Sequence, residues 1–284
     1  MLGRLRSRSL VLLYHRVASS HTDPWSLCVS PAHFEQHLEV LRGFTRTRLD
    51  RIATQRWRPS VAITFDDGYA DNLHAAARLL KRYDTPATFF IATGYIGGMR
   101  EFWWDQLARI VFESDTFPPG TRESVHLDLY QQLQPLSDED RARAMERLPA
   151  CAAATTSAPA HRAMTAEELQ ALAADGLFEI GAHTVTHPLL SAQPVAAQRA
   201  ELSNSKTWLE KFLDRPVTSF SYPYGGSQHY SADTVRMARE EGFSVACTTE
   251  HRPVCSGDQP WEWGRIHVPD LDGDEFKKLL LQFV

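Results

Sequence analysis

Short apolar runs of strand length recur along this chain with helix-patterned segments between them, and this alternation limits the fold more than any other feature. Segments 10–13, 61–65, 87–92, 178–182, 218–222 and 244–248 read as strands. Helical patterns fill the intervals. The first runs through Leu41 behind Ser30 as cap and Pro31 at the first position, and the others cover 72–83, 165–174, 195–213, 233–241 and 275–283. Phe34, Leu38 and Leu41 supply a buried stripe for the first; Thr165 and Glu168 form a capping box on 165–174, which packs through Leu169 and Leu172. Strands alternating with helices predict an α/β chain whose parallel strands close, or nearly close, into a barrel. With 284 residues and 43% apolar content the chain can fill one such core, so 1–284 is expected to be a single domain.

Barrels of this kind carry reactive groups at the C-terminal ends of their strands. Thr64-Phe65-Asp66-Asp67-Gly68-Tyr69 follows the run Val61-Ala62-Ile63, so two carboxylates sit where a buried strand ends. Neighbouring strand residues face opposite ways, and both can serve one pocket only where the strand turns. Gly68 is expected to make that turn, because glycine takes positive φ without steric cost. Ala182-His183-Thr184-Val185-Thr186-His187-Pro188 places two histidines four apart, just past Phe178-Glu179-Ile180. Pro188 biases His187 away from helix, so the pair is expected on a strand-to-loop segment.

Each stretch has a bland explanation by itself. Asp-Asp-Gly is usually a solvated turn, and a single histidine is usually a packing residue. Jointly they suit a single-cation hydrolase, which needs three protein ligands and an open position. Asp67 with His183 and His187 makes a two-histidine, one-carboxylate set, leaving Asp66 to accept a proton from an activated water. The same ligand types also serve non-haem iron oxygenases. His15 and Tyr224, like Asp66 and His183, fall at the ends of strand-like runs.

These stretches resemble the first two motifs of the polysaccharide deacetylases, the NodB-like carbohydrate esterases, and Phe220-Ser221-Tyr222-Pro223-Tyr224-Gly225 is similar to the third. The three occur in the family's order, and the resemblance spans roughly residues 8 to 270. It implies a distorted (β/α) barrel, usually seven-stranded, and metal-dependent removal of N- or O-acyl groups from sugars. It assigns Asp66 as the base, Asp67, His183 and His187 as metal ligands, and the Tyr224 backbone N–H as a donor to the oxyanion. Two departures stand out. The family's third motif has an arginine where this chain has Ser221, and Arg265 is the candidate to orient Asp66 in its place. The family's Leu-x-His motif is missing, with Ile266-His267 a poor substitute. Leu12-Leu13-Tyr14-His15-Arg16-Val17 instead resembles the N-terminal segment of a circularly permuted subgroup that includes exopolysaccharide N-deacetylases, which implies His15 as the general acid.

Residues 94–160 form the least regular region, read as an insertion over the barrel mouth without a core of its own. It holds Gly97-Gly98, Phe102-Trp103-Trp104, a charged helix at 138–148 and an Ala/Thr-rich stretch at 151–159. Trp103 and Trp104, with Pro223, are candidate substrate contacts, the indoles by stacking on sugar rings; closing the apolar edge of the insertion is an equal alternative for each. A net charge of −5 argues against binding a nucleic-acid polymer. Arg4, Arg6 and Arg8 precede an apolar run too short for a signal-peptide core or a membrane span, so no integral membrane association is expected. Cys28, Cys151, Cys247 and Cys255 lack Cys-x-x-Cys spacing and read as free thiols of a cytoplasmic protein.

The expectation is a hydrolase that removes an N-acyl group, N-acetyl above all, from an amino sugar in a surface-glycan or glycoconjugate pathway. The cofactor is one divalent cation, Zn2+ by ligand type, with Co2+, Ni2+ and Fe2+ suited to the same set. A cytoplasmic site favours a nucleotide-linked or lipid-linked substrate over finished polymer. Competing readings are a sugar-binding relative without catalysis and an amidohydrolase acting on a non-sugar amide.

Overall fold

The computed structural model describes residues 8–20, 22–54, 60–97, 101–148 and 161–283. Its strands are β1 (Arg8–Tyr14), β2 (Arg16–Val17), β3 (Cys28–Val29), β4 (Thr45–Arg46), β5 (Ser60–Phe65), β6 (Ala87–Ile91), β7 (Phe178–Ala182), β8 (Ser219–Ser221), β9 (Val245–Cys247), β10 (Val254–Cys255) and β11 (Ile266–His267). Seven of them, in the order β11-β1-β5-β6-β7-β8-β9, run parallel in one sheet. Trp263, just before β11, bridges in parallel to Cys247 of β9 and brings the two ends of the sheet together. The result is a distorted seven-stranded (β/α) barrel: the alternating pattern predicts its parallel strands and their closure, and the family resemblance implies the distortion and the strand number. Two short pieces pair with strand starts: β4 runs parallel to the start of β5, and β10 lies antiparallel to the start of β1.

Alternation along the strands sorts side chains into two layers. Leu10, Leu12 and Tyr14 of β1, Val61, Ile63 and Phe65 of β5, and Phe89 and Ile91 of β6 pack outward under the helices. Val11, Ala62, Phe90, Val245 and Trp263 point inward and plug the barrel floor. From Leu10 to Tyr14 no strand residue is more than 2% exposed. Burying such side chains contributes ~1.5–3 kcal/mol each. The inward row that holds Ala62 continues through Thr64 to Asp66, so the barrel's own pleat delivers that carboxylate above the floor.

The helices are α1 (Pro31–Leu41), α2 (Arg78–Arg82), α3 (Trp103–Phe112), α4 (Arg122–Leu133), α5 (Asp138–Glu146), α6 (Ala166–Ala173), α7 (Val195–Leu213), α8 (Ala232–Glu240) and α9 (Gly273–Leu281). Ser30 caps α1, and the Thr165–Glu168 capping box opens α6, as the sequence predicts. The segment expected as one helix over 72–83 differs: Asn72–Ala77 is a π-helix that tightens into α2. Such wide turns cluster at functional sites, and this one begins five residues beyond Asp67.

Two expectations for 94–160 are corrected. The sequence pattern marks one charged helix in an otherwise irregular region, yet α3 and α4 precede that helix. The pattern also suggests no core of its own, yet Phe102, Trp103, Trp104, Leu107, Ile110, Val111, Leu133 and Met145 form a second buried cluster, joined by Tyr69 and Ala92 from the barrel rim. The error has a plain cause. The apolar stripe of α4 is faint, Val125, Leu129 and Leu133 being offset by Leu127 on the exposed side, and its helicity is supported by packing against α3. Gly98 and the stretch 151–159, with Cys151, lie outside the described residues, as do Arg4 and Arg6. Cys28, Cys247 and Cys255 are free thiols. Among the described residues no helix is long and apolar enough to cross a membrane.

Candidate active site

Strand register gathers the site residues at one end of the barrel. Tyr14 pairs with Phe65, so His15 and Asp66 follow at the same level, tied by the Asp66 N–H donating to the Tyr14 carbonyl at 3.0 Å. Ile91 pairs with Ala182, and the His183 N–H then donates to the Ile91 carbonyl at 3.0 Å. The chain turns sharply at each of these ends. Of seven non-glycine residues with positive φ among the described residues, four are here: Asp67 at 76°, Thr184 at 65°, His187 at 54° and Tyr224 at 60°. Left-handed backbone at such residues costs ~1–3 kcal/mol each and concentrates at functional sites. The turn after β5 therefore starts one residue earlier than expected, at Asp67 itself, with Gly68 at 92° continuing it. That is how two adjacent carboxylates come to face one pocket.

Asp67, His183 and His187 offer one ligand atom each, all within 4.8 Å of one another and all buried. The Asp67 Oδ1 oxygen is 3.4 Å from His183 Nε2 and 3.5 Å from His187 Nε2, and it has no hydrogen-bond partner among the described residues. A tetrahedral zinc site with bonds of ~2.0–2.1 Å puts its ligand atoms roughly 3.3–3.4 Å apart. Both the spacing and the orphaned buried oxygen fit a cation of that size. His183 Nδ1 donates to the Ser221 carbonyl at 2.7 Å, which fixes the tautomer and leaves Nε2 free to ligate. The loop carrying both histidines is clamped from α7: Glu201 accepts from the Val185 and Thr186 N–H groups at 2.7 and 2.9 Å and from the Thr186 hydroxyl at 2.7 Å.

Asp66 has different partners. Arg265, with no exposed side-chain surface, donates to both its oxygens at 2.7 Å, and the Ser221 hydroxyl donates to Oδ2 at 3.0 Å. Arg265 also donates to the Ser221 hydroxyl and the Thr248 carbonyl, which locks the guanidinium. Serine at the motif position is thus a relay between arginine and aspartate, and its carbonyl orients His183 as well. Burial by itself would raise the Asp66 pKa, but Arg265 and His183 outweigh it and hold the carboxyl well below the usual range. Asp67 is likewise lowered, burial being overcome by His183 and His187. Burial pushes His187 down to about 3, so the imidazole is neutral, the form a ligand requires.

His15 and His267 sit side by side over this pair, ring centroids 6.3 Å apart. The His15 Nδ1 atom is buried without a partner among the described residues. Burial lowers the His15 pKa against the upward pull of Asp67 and Asp66. His267 is pushed down to about 4 by burial and by His15, while the Ser26 backbone hydrogen-bonds it from outside. Tyr224 follows buried Pro223, and its N–H donates to nothing among the described residues, which leaves a backbone donor turned by positive φ. Gly225 completes that turn; a Cβ there would meet the Thr249 backbone nitrogen at 2.7 Å.

Of the two readings open for Trp103 and Trp104, their burial fits the closing of the insertion's apolar edge and not the stacking on sugar rings. They are 3% and 4% exposed and belong to the second cluster, which leaves no indole face for a sugar ring. Trp103 stacks on Tyr130 and lies under Arg141. Trp104 donates to the Tyr69 hydroxyl at 2.8 Å, which donates to Asp105 at 2.7 Å, and its ring rests 4.7 Å from His187. Its position is therefore that of a wall against the His187 ring. Nothing in the sequence marks Glu201, which lies near no motif, and Asp105 is marked only by following the Phe102-Trp103-Trp104 cluster.

A family model described as polysaccharide deacetylase matches residues 54–246. The polysaccharide-deacetylase-type protein YxkH of Bacillus subtilis (strain 168) is 24% identical over 275 residues, covering 94% of this chain and 74% of its own. Among solved structures, the Streptococcus pyogenes deacetylase PplD in complex with acetate superposes with a TM-score of 0.65 at 19% identity, over 98% of both chains. IcaB from Ammonifex degensii gives 0.65 at 21% identity, over 96% of both. At these identities the two structural likenesses speak for the fold.

Proposed function

The chain belongs to the polysaccharide deacetylase family, and from that premise we propose that it hydrolyses the N-acetyl group of an amino sugar within a glycan or glycoconjugate. The observation that carries this reading is the division between neighbouring carboxylates: Asp67 faces two histidines with a free oxygen, whereas Asp66 is held by Arg265 and Ser221. A divalent cation held by Asp67, His183 and His187, zinc by ligand type, would polarise the acyl carbonyl and acidify the attacking water. Asp66, kept ionised by Arg265, takes the proton from that water. The Tyr224 N–H is aimed at the charge developing on the acyl oxygen. His15 gives a proton to the leaving amine. Trp104 and Tyr224, each with its ring 4.7 Å from His187, keep bulk water from that side of the site.

We place the substrate in a surface-glycan or glycoconjugate pathway, and the decisive experiment samples its forms. Purified protein is supplied with Zn2+, Co2+, Ni2+ or Fe2+ and offered acylated oligosaccharides, lipid-linked sugars and nucleotide sugars, with products read by mass spectrometry. Loss of one acetyl unit from a sugar is the expected result. Stoichiometric cation binding with no acyl release from any of them would leave a sugar-binding protein, and release only from a non-sugar amide would move the activity to another class.

A further inference from the structure

Beside the barrel mouth, the loop after β2 and the helices α3 and α4 enclose a cleft of about 470 Å³ that the chemistry above does not use. This is within the size of small-ligand sites. Trp25, Phe112, His126 and Leu127 supply its apolar and aromatic surfaces. Leu127, 46% exposed, is one of three large hydrophobic side chains exposed among the described residues. Trp25 is braced on Tyr130 at 4.2 Å and on His126 at 5.6 Å. The Trp25 Nε1 and His126 Nε2 atoms have no hydrogen-bond partner among the described residues.

The charges in this cleft have one sign. Asp23 and Glu123 line it, and among the described residues no lysine or arginine does. Asp23 is fixed by accepting from the Leu27 and Cys28 N–H groups at 2.9 and 2.8 Å. His126 adds no positive charge, since burial lowers its pKa to about 4. Aromatic faces beside carboxylates favour a cation carried on an apolar body, and an amino-sugar ring with a protonated amine has that make-up. The location suits the same molecule. Ring contacts of 4.2, 4.9, 5.8 and 4.7 Å lead from Trp25 through Tyr130, Trp103 and Trp104 to His187. On its other side the loop reaches His267 through Ser26. These contacts place the cleft a few side chains from His187 on one side and from His267 on the other.

We propose that this cleft binds a sugar unit bearing a free amine on the same glycan whose neighbouring acylated unit enters the active site. The substrate is then an oligosaccharide or longer glycan already deacylated in part, and each removal creates the group that the cleft recognises. This rests on the amino-sugar reading above, and equilibrium binding tests it apart from turnover. Glucosamine tetrasaccharides, β-1,4- and β-1,6-linked, and their N-acetylated counterparts are titrated into the full chain carrying Asp66→Asn, so that acylated probes stay intact. The amine form of at least one linkage should bind roughly tenfold or more tightly than its acetylated form, the scale of one charge-assisted contact. Adding Glu123→Gln should erase that preference, and Trp25→Ala should weaken binding of both forms. Should Trp25→Ala fail to fold, Glu123→Gln decides, because its side chain is exposed. Equal affinity for both forms, a preference that survives Glu123→Gln, or no binding of either amine tetrasaccharide would overturn the proposal.

Discussion

Arg265 grips both carboxylate oxygens of Asp66 at 2.7 Å across a separation of 199 residues, and neither side chain is more than 3% exposed. A buried fork of this kind fixes direction as well as charge. It also explains how Ser221 can stand where the family's third motif has an arginine: the guanidinium enters from the strand that closes the barrel.

Arg265→Lys keeps the charge and loses the fork. Cation content, read by elemental analysis, should stay at the wild-type ratio while kcat falls on the order of 10²-fold, the cost of a small misplacement of a reacting group. Arg265→Ala leaves a buried carboxylate without its partner and should cost ~3–5 kcal/mol of stability in denaturant titration. An Arg265→Lys enzyme with wild-type kcat would show that the fork does not position the base.

Asp67→Ala and His187→Ala should lower both bound cation and activity. Asp66→Asn should spare the cation and lose rate. Measuring occupancy and turnover on the same preparations separates the two roles; cation loss in Asp66→Asn with normal occupancy in Asp67→Ala would reverse the assignment.

His15 and His267 face each other, so their substitution distinguishes donor from neighbour. His15→Ala should keep the cation and lose ~10²–10⁴ in rate, the usual cost of a missing general acid. His267→Ala should lose less than ~10-fold. The opposite pattern in steady-state kinetics would make His267 the donor and His15 structural.

Burial of Trp103 predicts a stability phenotype. Trp103→Ala should destabilise by ~3–5 kcal/mol, as large aromatic truncations in cores do, seen as a lower midpoint in urea. A variant that unfolds at the wild-type midpoint yet binds sugar poorly would restore the stacking role.

His37 should make stability depend on acid. Its ring is fully buried, stacked 4.1 Å from Phe276, with Nε2 donating to the Leu271 carbonyl and Nδ1 accepting from the Tyr14 hydroxyl. Burial pushes its pKa from the ordinary 6.5 down to about 4. A folded pKa below the unfolded one gives stability that is present above pH 6.5 and lost as pH falls towards 4, by up to about 1.4 kcal/mol per pH unit. Thermal midpoints should decline through that window, and less steeply in His37→Gln. Identical slopes would exclude His37 as a source.

Much of this protein was legible in its amino-acid order because the informative features are local. Strand-length apolar runs, caps such as Ser30 and Thr165, and the turn residues of the Asp66-Asp67-Gly68 stretch act within a few residues. Asp67, His183 and His187 could be proposed as a ligand set because Asp67 and His183 lie at the ends of buried runs that the sequence marks, with His187 four residues further on. Tertiary structure decided what depends on distance through space. That both indoles are shut away from solvent is decided by the helices folded over them, and α4 carries only a faint apolar stripe to announce that it is one of those helices. Arg265 was a candidate only by its place near a strand end, since a guanidinium reaching back 199 residues leaves no trace in spacing. Glu201 left none at all, because it is one more carboxylate on a helix until the fold sets it under the Val185 and Thr186 amides. Local patterning selects the elements; barrel closure, which brings β11 beside β1, selects the contacts that orient the reacting groups.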